Sequence, residues 1–595
     1  MNELKYVPTS SDPNLDPRYQ YYQHIQEVIQ KKPKFKTADK GLIPVVGRIN
    51  DLAKWNNLSE VQPGVAIPIP NGDQWIVTGR VSFNRFEFIN SQSFVLSLKV
   101  TEAIRPALKE TIKEMGLSIP QGNVTSEMIK KAGKGTIVGI VDYGGDFNHS
   151  NFKTSSGRTR LLSIWDQSQG ANPNSPHGYG TVFTEAQINN ALSSSNPYKK
   201  LGYSVDSEEH GTHVMDIAAG SGPNPGVAPK AKLIFVNISS EADRTVEDVL
   251  NRDFGDSVRV IEAVKYIFDQ AGNTPCVVNL SLGTNGGPHD GTNPVEMAFD
   301  ALLQEKSNRA IVVAAANAYA DKIHKSGTIA QDETIDIQWK ISNFDRTHNE
   351  MEIWYSNKDE LEVEIISPNN SLSTKVALGQ NGGIWDNGKL FAYVAHKQDP
   401  DNGDHVVHIF QDPTYSTAGA WTIRLLGKII KDGKYDAWIE RDDNGPSSFN
   451  ADDPLSTLGS ISTGKKTITV ASYDAHRPGQ PISYFSGSGP TRKGDFKPEV
   501  SAAGHDVWAA NSTTKTGLTR MSGTSMASPV VTGLVARILG IAKERNIDLD
   551  IDTIRKLVID TARKNPPENS NEQGWDNRYG FGRVSAEALV AVSNI

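Results

Sequence analysis

The nine residues Met521–Pro529 read MSGTSMASP and place a serine, Ser525, directly after a Gly-Thr turn. Apolar residues follow at helical spacing as far as Leu539, which predicts that Ser525 begins a buried helix. The N-terminus of a helix offers unpaired N–H groups and the positive end of the helix dipole, and both favour a developing negative charge. A serine hydroxyl is a weak nucleophile unless a base and a group that orients the base activate it. The rest of the chain must therefore supply both groups if Ser525 is to do chemistry.

Two other segments carry residues of the required types. His210–Val214 reads HGTHV and opens a second apolar helix, and Asp142 ends the apolar run Thr136–Val141, which is typical of a buried strand. An aspartate after one strand is by itself more often a helix cap than a catalytic group. The chain order Asp, His, Ser, however, is one of the known orders of a catalytic triad. A zinc site through His210 and His213 is the alternative, with only Glu208 or Glu209 nearby as a third ligand.

These segments resemble the three motifs of the subtilase family. Val141–Gly144, with His149 after it, resembles the aspartate motif, His210–Val214 the histidine motif, and Gly523–Pro529 the serine motif. The resemblance covers about residues 130–320 and 455–595. It implies an α/β fold with a subtilisin-like doubly wound parallel sheet, and a serine endopeptidase with Asp142, His210 and Ser525 as its triad.

The resemblance extends to residues that would hold the substrate. Asn317 stands where the family has its oxyanion asparagine, although Ala316 replaces the usual preceding glycine. A second departure is Met215-Asp216, where the family usually has Ala-Gly. The resemblance implies substrate binding through a strand that pairs with the substrate backbone and through a pocket floor open to a large apolar side chain. These residues are Ser281, Leu282, Gly283, Ala315 and Gly459.

The 595 residues exceed what one hydrophobic core usually serves, so several domains are expected. We divide the chain into a polar N-terminal tail (1–40), a small α+β region (41–125), the catalytic domain in two parts (130–320 and 455–595) and an insertion (321–454). Trp75–Val81 and Phe94–Val100 are strand-like, and a helix is predicted over Glu102–Met115. Subtilases commonly carry a pro-domain at this place. The region 41–125 is thus expected to be either a pro-domain, cut between Gly116 and Lys134, or a permanent accessory domain.

The insertion alternates apolar and polar residues in about eight runs separated by turn residues, which predicts a β-sandwich of the jelly-roll kind. Its tryptophans fit either a carbohydrate-binding face or a sandwich core, and their register with aliphatic neighbours favours the core. These residues are Trp339, Trp354, Trp385, Trp421 and Trp438.

Composition limits the partners of the chain. A net charge of −8 gives no reason to expect nucleic acid or an anionic membrane surface as a partner. The sequence contains no run of 18 apolar residues, so we expect no membrane-spanning helix. The single Cys276 and a start without an apolar signal segment favour the cytoplasm, with leaderless export left open. The chemistry needs no cofactor. Structural calcium, its ligands and the oligomeric state are left open.

The expected function is hydrolysis of polypeptides by His210-assisted attack of Ser525. The alternative from another class is a pseudoprotease, a binding or signalling protein on the same fold, which a missing triad residue would have favoured. An esterase is a narrower alternative, because the same groups cleave esters.

Overall fold

The computed structural model describes residues 15–21, 23, 42–70, 72–100, 105–106, 123–205, 209–238, 246–343, 345, 348–386, 389–411, 418–440, 447–564 and 573–595. The helix expected over Glu102–Met115 lies outside these residues except for Arg105–Pro106, which form a short strand.

The N-terminal region is an antiparallel sheet of four strands with two short helices and a 3-10 turn (Phe83–Arg85). In spatial order the strands are β2 (Val61–Pro68), β3 (Trp75–Ser82), β1 (Leu42–Ile49) and β4 (Val95–Val100), and the helices are α1 (Leu52–Asn57) and α2 (Phe86–Asn90). Asp51 caps α1 by accepting the N–H of Lys54 at 3.0 Å. One face of the sheet is apolar at alternate positions and builds a core around Trp55 and Phe86.

A doubly wound sheet of eight strands forms the centre of the catalytic domain. In spatial order it contains β25 (Val500–Ala503), β24 (Ile468–Tyr473), β12 (Arg309–Ala314), β10 (Cys276–Leu280), β6 (Ile137–Asp142), β9 (Lys232–Asn237), β7 (Leu161–Asp166) and the antiparallel edge strand β8 (Thr181–Thr184). Inner strands such as β6 and β12 are buried along their whole length because helices cover both faces. The parallel α/β sheet predicted from the sequence is confirmed.

The helices of the catalytic domain range from one and a half to seven turns. They are α3 (Ser126–Lys131), α4 (Glu185–Leu192), α5 (Pro197–Leu201), α6 (His210–Ala219), α7 (Val246–Ala271), α8 (Pro294–Glu305), α9 (Thr524–Glu544), α10 (Ile551–Asp560) and α11 (Glu587–Ser593), with a 3-10 turn at Ser150–Phe152. Among the described helices, α9 alone is long and apolar enough to cross a membrane, but its apolar stretch is wholly buried in the protein, as in a core helix. A hairpin of β26 (Val507–Ala510) and β27 (Leu518–Met521) leads into α9.

The insertion consists of two antiparallel sheets with an apolar core between them. The six-stranded sheet contains β13 (His324–Thr328), β22 (Lys434–Ile439), β15 (Asn349–Tyr355), β20 (His405–Gln411), β19 (Lys389–Gln398) and β18 (Gln380–Asp386). The five-stranded sheet contains β17 (Ser373–Ala377), β16 (Glu360–Ile366), β21 (Gly419–Ile429), β14 (Thr334–Ile341) and β23 (Ser448–Phe449).

Four of the five tryptophans singled out in the insertion are buried: Trp339, Trp354, Trp421 and Trp438. The fifth, Trp385, is partly buried against the N-terminal core. These positions support a packing role for all five side chains rather than a carbohydrate-binding face.

The N-terminal region and the insertion share one hydrophobic core. Tyr393 and Phe410 of the insertion pack into the apolar face of the N-terminal sheet. Lys99 lies 2.8 Å from Asp399 and 2.7 Å from Asp401, so buried ion pairs accompany the apolar contact. Because this contact combines apolar and charged groups, we expect the two regions to hold together as one unit.

The expectation of a solvated N-terminal tail is wrong for its described part. Leu15, Tyr19 and Tyr21 are at most 2% exposed and lie in the same shared core. Arg18 pairs with Glu350 of the insertion at 2.6 Å. The aromatic residues of the segment therefore hold it in this core. The polar composition of the rest of the tail gave no indication of their burial.

Candidate active site

Asp142 and His210 meet at the carboxyl edge of the central sheet. Asp142 is the last residue of β6, His210 is the first residue of α6, and Asp142 Oδ1 lies 2.5 Å from His210 Nδ1. A carboxylate only accepts, so the proton lies on Nδ1 and the basic lone pair on Nε2. Both side chains are almost fully buried. Burial raises the pKa of Asp142 above its ordinary value, and the pairing with His210 acts in the opposite direction.

The loop after Asp142 caps the helix that carries His210. The backbone N–H of Gly211 donates to Tyr143 O at 2.6 Å, and the Thr212 hydroxyl donates to Gly144 O at 2.6 Å. A Cβ on Gly211 would lie 2.5 Å from Tyr143 O, so the glycine permits this approach. The sequence HGTH therefore fixes His210 against the end of β6.

Ser525 is the second residue of α9 and is bound twice to Ser281. Ser525 Oγ donates to Ser281 O at 3.0 Å, and Ser281 Oγ donates to Ser525 O at 2.7 Å. Pro529 explains the second bond, because proline lacks the N–H that would otherwise bond Ser525 O within the helix. Ser525 is thus tied to the segment that is predicted to bind substrate.

Asn279 was not singled out by the sequence analysis. Its Oδ1 accepts the hydroxyls of Ser528 at 2.8 Å and Thr532 at 3.0 Å, both on α9, and its Nδ2 donates to Ser281 Oγ at 2.8 Å. This side chain therefore fixes the Ser525 helix against the end of β10. A polar residue inside the apolar run of β10 was the available signal, because a buried amide requires partners.

Asn317 lies just beyond the end of β12 and contacts the start of α9. Its Oδ1 accepts the backbone N–H of Thr524 at 2.9 Å and the Thr524 hydroxyl at 3.0 Å. Since an N–H can only donate, the contact atom is the amide oxygen, and the Nδ2 donor group faces away from Thr524. Ala316 has a φ of +76°, a left-handed conformation that glycine adopts without strain. This left-handed conformation explains why the family usually has a glycine at this place.

Ala315, Ala316 and Gly459 lie together beside the substrate-binding segment. The N–H of Gly459 donates to Ala315 O at 3.3 Å, and that of Ser460 donates to Thr284 O at 2.8 Å, so residues 459–460 bridge the ends of β12 and of Leu282–Gly283. A Cβ on Gly459 would lie 3.4 Å from the methyl group of Ala316. The methyl group therefore narrows the space next to Gly459.

A segment of the N-terminal region pairs with the strand that is predicted to bind substrate. The two-residue strand β5 (Arg105–Pro106) pairs antiparallel with β11 (Leu282–Gly283), with Leu282 opposite Pro106 and Gly283 opposite Arg105. Leu282 and Gly283 thus pair with an extended segment of this chain, and Ser281, which precedes them, contacts Ser525.

The remaining candidates near the site have packing roles. His213 is buried, and its Nε2 lies 3.2 Å from Val507 O, which fits a structural histidine better than a metal ligand. Asp216 accepts Asn151 Nδ2 at 2.8 Å and the N–H of Ala510 at 2.7 Å. Asp216, one of the two residues that depart from the family pattern, therefore joins α6 to β26 through the hydrogen bond from Ala510. Burial raises the pKa of Asp216 to about 6.

A possible metal-binding group lies away from this edge of the sheet. Within the described part of the chain, Glu350, Glu352 and His408 place ligand atoms within 4.8 Å of one another. Arg18 already pairs with Glu350, and Glu352 accepts the indole N–H of Trp354 at 2.8 Å. Because protein groups satisfy these carboxylates, the cluster gives no support for structural calcium.

Comparison with known proteins agrees with the geometry. The model of the subtilase family matches residues 133–371 and 444–582, which flank the middle of the insertion. The C5a peptidase of Streptococcus pyogenes serotype M3 is 23% identical over 530 residues, covering 83% of this chain and 42% of that protein. The PIII-type proteinase of Lactococcus lactis subsp. cremoris is 25% identical, covering 78% of this chain and 25% of that protein. The chain thus spans less than half the length of these relatives.

A solved structure is also similar over most of the chain. The structure of the Clostridium perfringens CspB protease matches with a TM-score of 0.67 and 26% sequence identity, and the match covers 78% of this chain and 96% of that one. The two proteins therefore share a similar fold over most of this chain.

Proposed function

Because the chain belongs to the subtilase family, we propose that it is a serine endopeptidase that uses Asp142, His210 and Ser525 as its triad. The observation that carries this proposal is the Asp142–His210 contact, with its buried carboxylate on the Nδ1 side of the imidazole. Ser525 stands at the N-terminus of α9, and its carbonyl and hydroxyl are both fixed by Ser281.

In the first step, Ser525 Oγ attacks a peptide carbonyl while His210 Nε2 takes its proton. Asp142 holds the imidazole in the productive tautomer and stabilises the imidazolium that forms. His210 then gives the proton to the leaving amine. Water hydrolyses the acyl ester by the same route, and Ser525 is restored.

The developing oxyanion is held by Asn317 Nδ2, together with the positive end of α9. Thr524 supports this role, because its two bonds to Asn317 Oδ1 turn the donor group of the amide away from the helix. The chemistry requires no cofactor. Among the described residues, the one candidate group of metal ligands does not support a structural calcium site.

Polypeptides are the proposed substrates, bound as an added strand against Ser281, Leu282 and Gly283. The pairing of Arg105–Pro106 with Leu282–Gly283 supports this mode of binding. Backbone pairing gives affinity without demanding a particular sequence, so side-chain selection falls to the pocket beside Ala315 and Gly459.

The insertion is proposed to be a jelly roll with a structural role. Its core between two antiparallel sheets and the burial of its tryptophans support this proposal. A carbohydrate-binding face would need several of those aromatic side chains at the surface.

Hydrolysis of an internally quenched peptide by wild type, Ser525→Ala and Ser528→Ala tests the proposal. Ser528 is a matched control, because it lies one helical turn away and Asn279 Oδ1 keeps Thr532 as a partner when it is lost. We expect Ser525→Ala to lose at least about 10³-fold in kcat and Ser528→Ala to stay near wild type. A wild type that cleaves esters but not the peptide amide would indicate an esterase. A wild type that cleaves neither would indicate a pseudoprotease.

A further inference from the structure

The insertion contacts the loop that follows the proposed substrate-binding strand through two carboxylates. Glu440, directly after β22, accepts the backbone N–H of Asn285 at 2.8 Å and that of Gly286 at 3.0 Å, one on each carboxylate oxygen. Glu352 of β15 accepts the next backbone N–H, that of Gly287, at 2.9 Å. Three consecutive backbone donors of the catalytic domain therefore bond to acidic side chains of the insertion.

The sequence of this loop permits the close contact. A Cβ on Gly286 would lie 2.7 Å from Glu440 Oε2, so the glycine leaves room for the carboxylate. Gly287 has a φ of +105°, a conformation that favours glycine. Residues 285–287 are buried, and buried N–H groups require acceptors. The carboxylates of the insertion supply those acceptors.

A stacked aromatic group of the insertion holds the other end of the same loop. The ring of Trp438 in β22 lies between the ring of His289, at a centroid distance of 4.1 Å, and that of His324, at 4.7 Å. His289 Nε2–H donates to Asn285 O at 2.6 Å, because a carbonyl only accepts. Burial lowers the pKa of His289 to about 4, so the ring is neutral at neutral pH. Residues 285–289 therefore form one unit that the insertion holds at both ends.

The proposed substrate-binding strand lies between this unit and the nucleophile. Ser281, at one end, forms two hydrogen bonds with Ser525, and Leu282–Gly283 follows it directly. Asn285 comes two residues after the strand ends, which is a distance of at most about 7 Å along an extended chain. A shift of Asn285 would therefore move the backbone groups that pair with a substrate.

We propose that Glu440 is a positioning residue of the active site, which holds the loop after Gly283 and thereby fixes where Leu282–Gly283 meets the substrate backbone. The inference rests on the proposed function and gives the insertion a direct part in substrate binding. Glu440 acts through Asn285 and Gly286 and takes no part in the bond-breaking steps.

The effect of Glu440 should depend on the length of the substrate. Pro106 lies opposite Leu282 and Arg105 opposite Gly283, so an antiparallel segment runs toward its own N-terminus as the strand runs away from Ser281. A substrate residue next to the scissile bond would then lie opposite Ser281, and the fourth residue upstream opposite Thr284. Only a substrate with several acyl-side residues uses the part of the strand that Glu440 positions.

The test compares two N-acetylated thiobenzyl esters, one of a single alanine and one of four alanines, on full-length wild type and Glu440→Gln. Glutamine replaces one carboxylate oxygen by an amide donor, which faces a backbone N–H instead of accepting it. We expect the ratio of kcat/KM for the long ester to kcat/KM for the short ester to fall at least about tenfold in Glu440→Gln. Arg105–Pro106 competes with both esters, so its displacement cancels in the ratio.

Gly286→Ala breaks the same contact from the other side, because its Cβ displaces the carboxylate. It should lower the ratio to a similar extent, and the double variant should fall no further than the larger single effect. Either single variant carries the test if the other does not fold. Glu364→Gln is the matched control, since Glu364 lies in the other sheet of the insertion, near Lys375 and Arg424, and the ratio should stay at the wild-type value.

The outcomes separate this inference from the proposed function. An unchanged ratio in Glu440→Gln, or an equal loss on both esters, would overturn the positioning role and leave the endopeptidase. A fall in the ratio in an enzyme that cleaves no peptide amide would refute the endopeptidase and support the positioning role. A wild type that cleaves neither ester nor peptide would refute both.

Discussion

Thr524 holds the side chain of Asn317 through two hydrogen bonds to one atom, Oδ1, at 2.9 Å from the backbone N–H and 3.0 Å from the hydroxyl. The contact joins the end of β12 to the start of the helix that carries Ser525. It also determines where the amide donor of Asn317 points, which is the requirement for an oxyanion group that is ready before the substrate arrives.

Replacing Asn317 by alanine should therefore lower kcat far more than it changes KM. The expected loss is about 10²–10³-fold, a magnitude known from subtilisin, a member of this family, and carried over here. Thr524→Val is the matched variant, since it removes the hydroxyl and keeps the backbone N–H. Steady-state kinetics on a peptide should show a loss of about tenfold or less for it. A KM effect without a kcat effect in Asn317→Ala would argue for a role in ground-state binding.

Much of the site could be predicted from the sequence because its chemistry depends on short motifs. The end of the apolar run before Asp142 and the start of the apolar helices at His210 and Ser525 all indicated the same edge of the sheet. The partners of Asn279 and Thr524 could not be predicted, because each lies far away in sequence, although the polar Asn279 within an apolar run was a sign that a partner exists. The burial of Tyr19 and Tyr21 was missed for the same reason: Tyr19 packs on Phe83 and Phe86, and Tyr21 packs on Phe410 of the insertion.

Ala316→Gly should remove backbone strain next to the oxyanion group. A left-handed alanine costs about 1–2 kcal/mol, while glycine in an ordinary extended segment would lower stability by about 0.5–1 kcal/mol. The thermal midpoint of the double variant, which carries both Ser525→Ala and Ala316→Gly, should therefore equal or exceed that of Ser525→Ala alone. In the active protein, the same change should favour peptides with a large apolar acyl-side residue. A clear fall in the midpoint would show that the methyl group contributes more by packing than its conformation costs.

Asp216 should make the protein less stable as the pH rises through about 6. Its folded pKa of about 6 lies above the ordinary value near 3.9, so its contribution is full at low pH and is lost when the buried carboxyl ionises. The loss should approach roughly 3 kcal/mol at neutral pH. The difference in thermal midpoint between Asp216→Asn and its parent should become more positive from pH 4 to pH 7. The exposed Asp269→Asn serves as control, and an equal trend there would contradict the assignment.

Lys99 should stabilise the contact between the N-terminal region and the insertion. Burial raises the pKa of Asp399, but Lys99 and Lys397 together lower it below its usual range. Lys99→Met removes the cation that Asp399 and Asp401 share, and it leaves Asp401 paired with Arg48 at 3.2 Å and Asp399 with Lys397 nearby. The change should cost roughly 2 kcal/mol, seen as faster proteolysis of the N-terminal region in Ser525→Ala. Lys54→Met removes an exposed pair with Asp51 and should leave the rate of proteolysis near that of its parent, because solvent screens an exposed pair. Equal sensitivity in the two variants would mean that the apolar core alone holds the contact.

The lowered pKa of Asp399 also determines in which direction a change of pH alters the stability of this contact. A carboxyl with a lowered folded pKa stabilises the folded state above its unfolded value and loses that contribution as the pH falls through the folded pKa. Proteolysis of the N-terminal region should therefore accelerate only at strongly acid pH, and Lys99→Met should weaken that acid dependence, because Lys397 remains.

The acyl-enzyme tests the central claim most directly. The wild type is mixed with a peptide ester, the reaction is quenched in acid, and the modified residue is mapped by mass spectrometry. The account predicts one acyl group per chain on Ser525, and its loss in His210→Ala, because the hydroxyl then lacks its base. Turnover of the ester without acyl on Ser525, or acyl on another residue, would contradict the account.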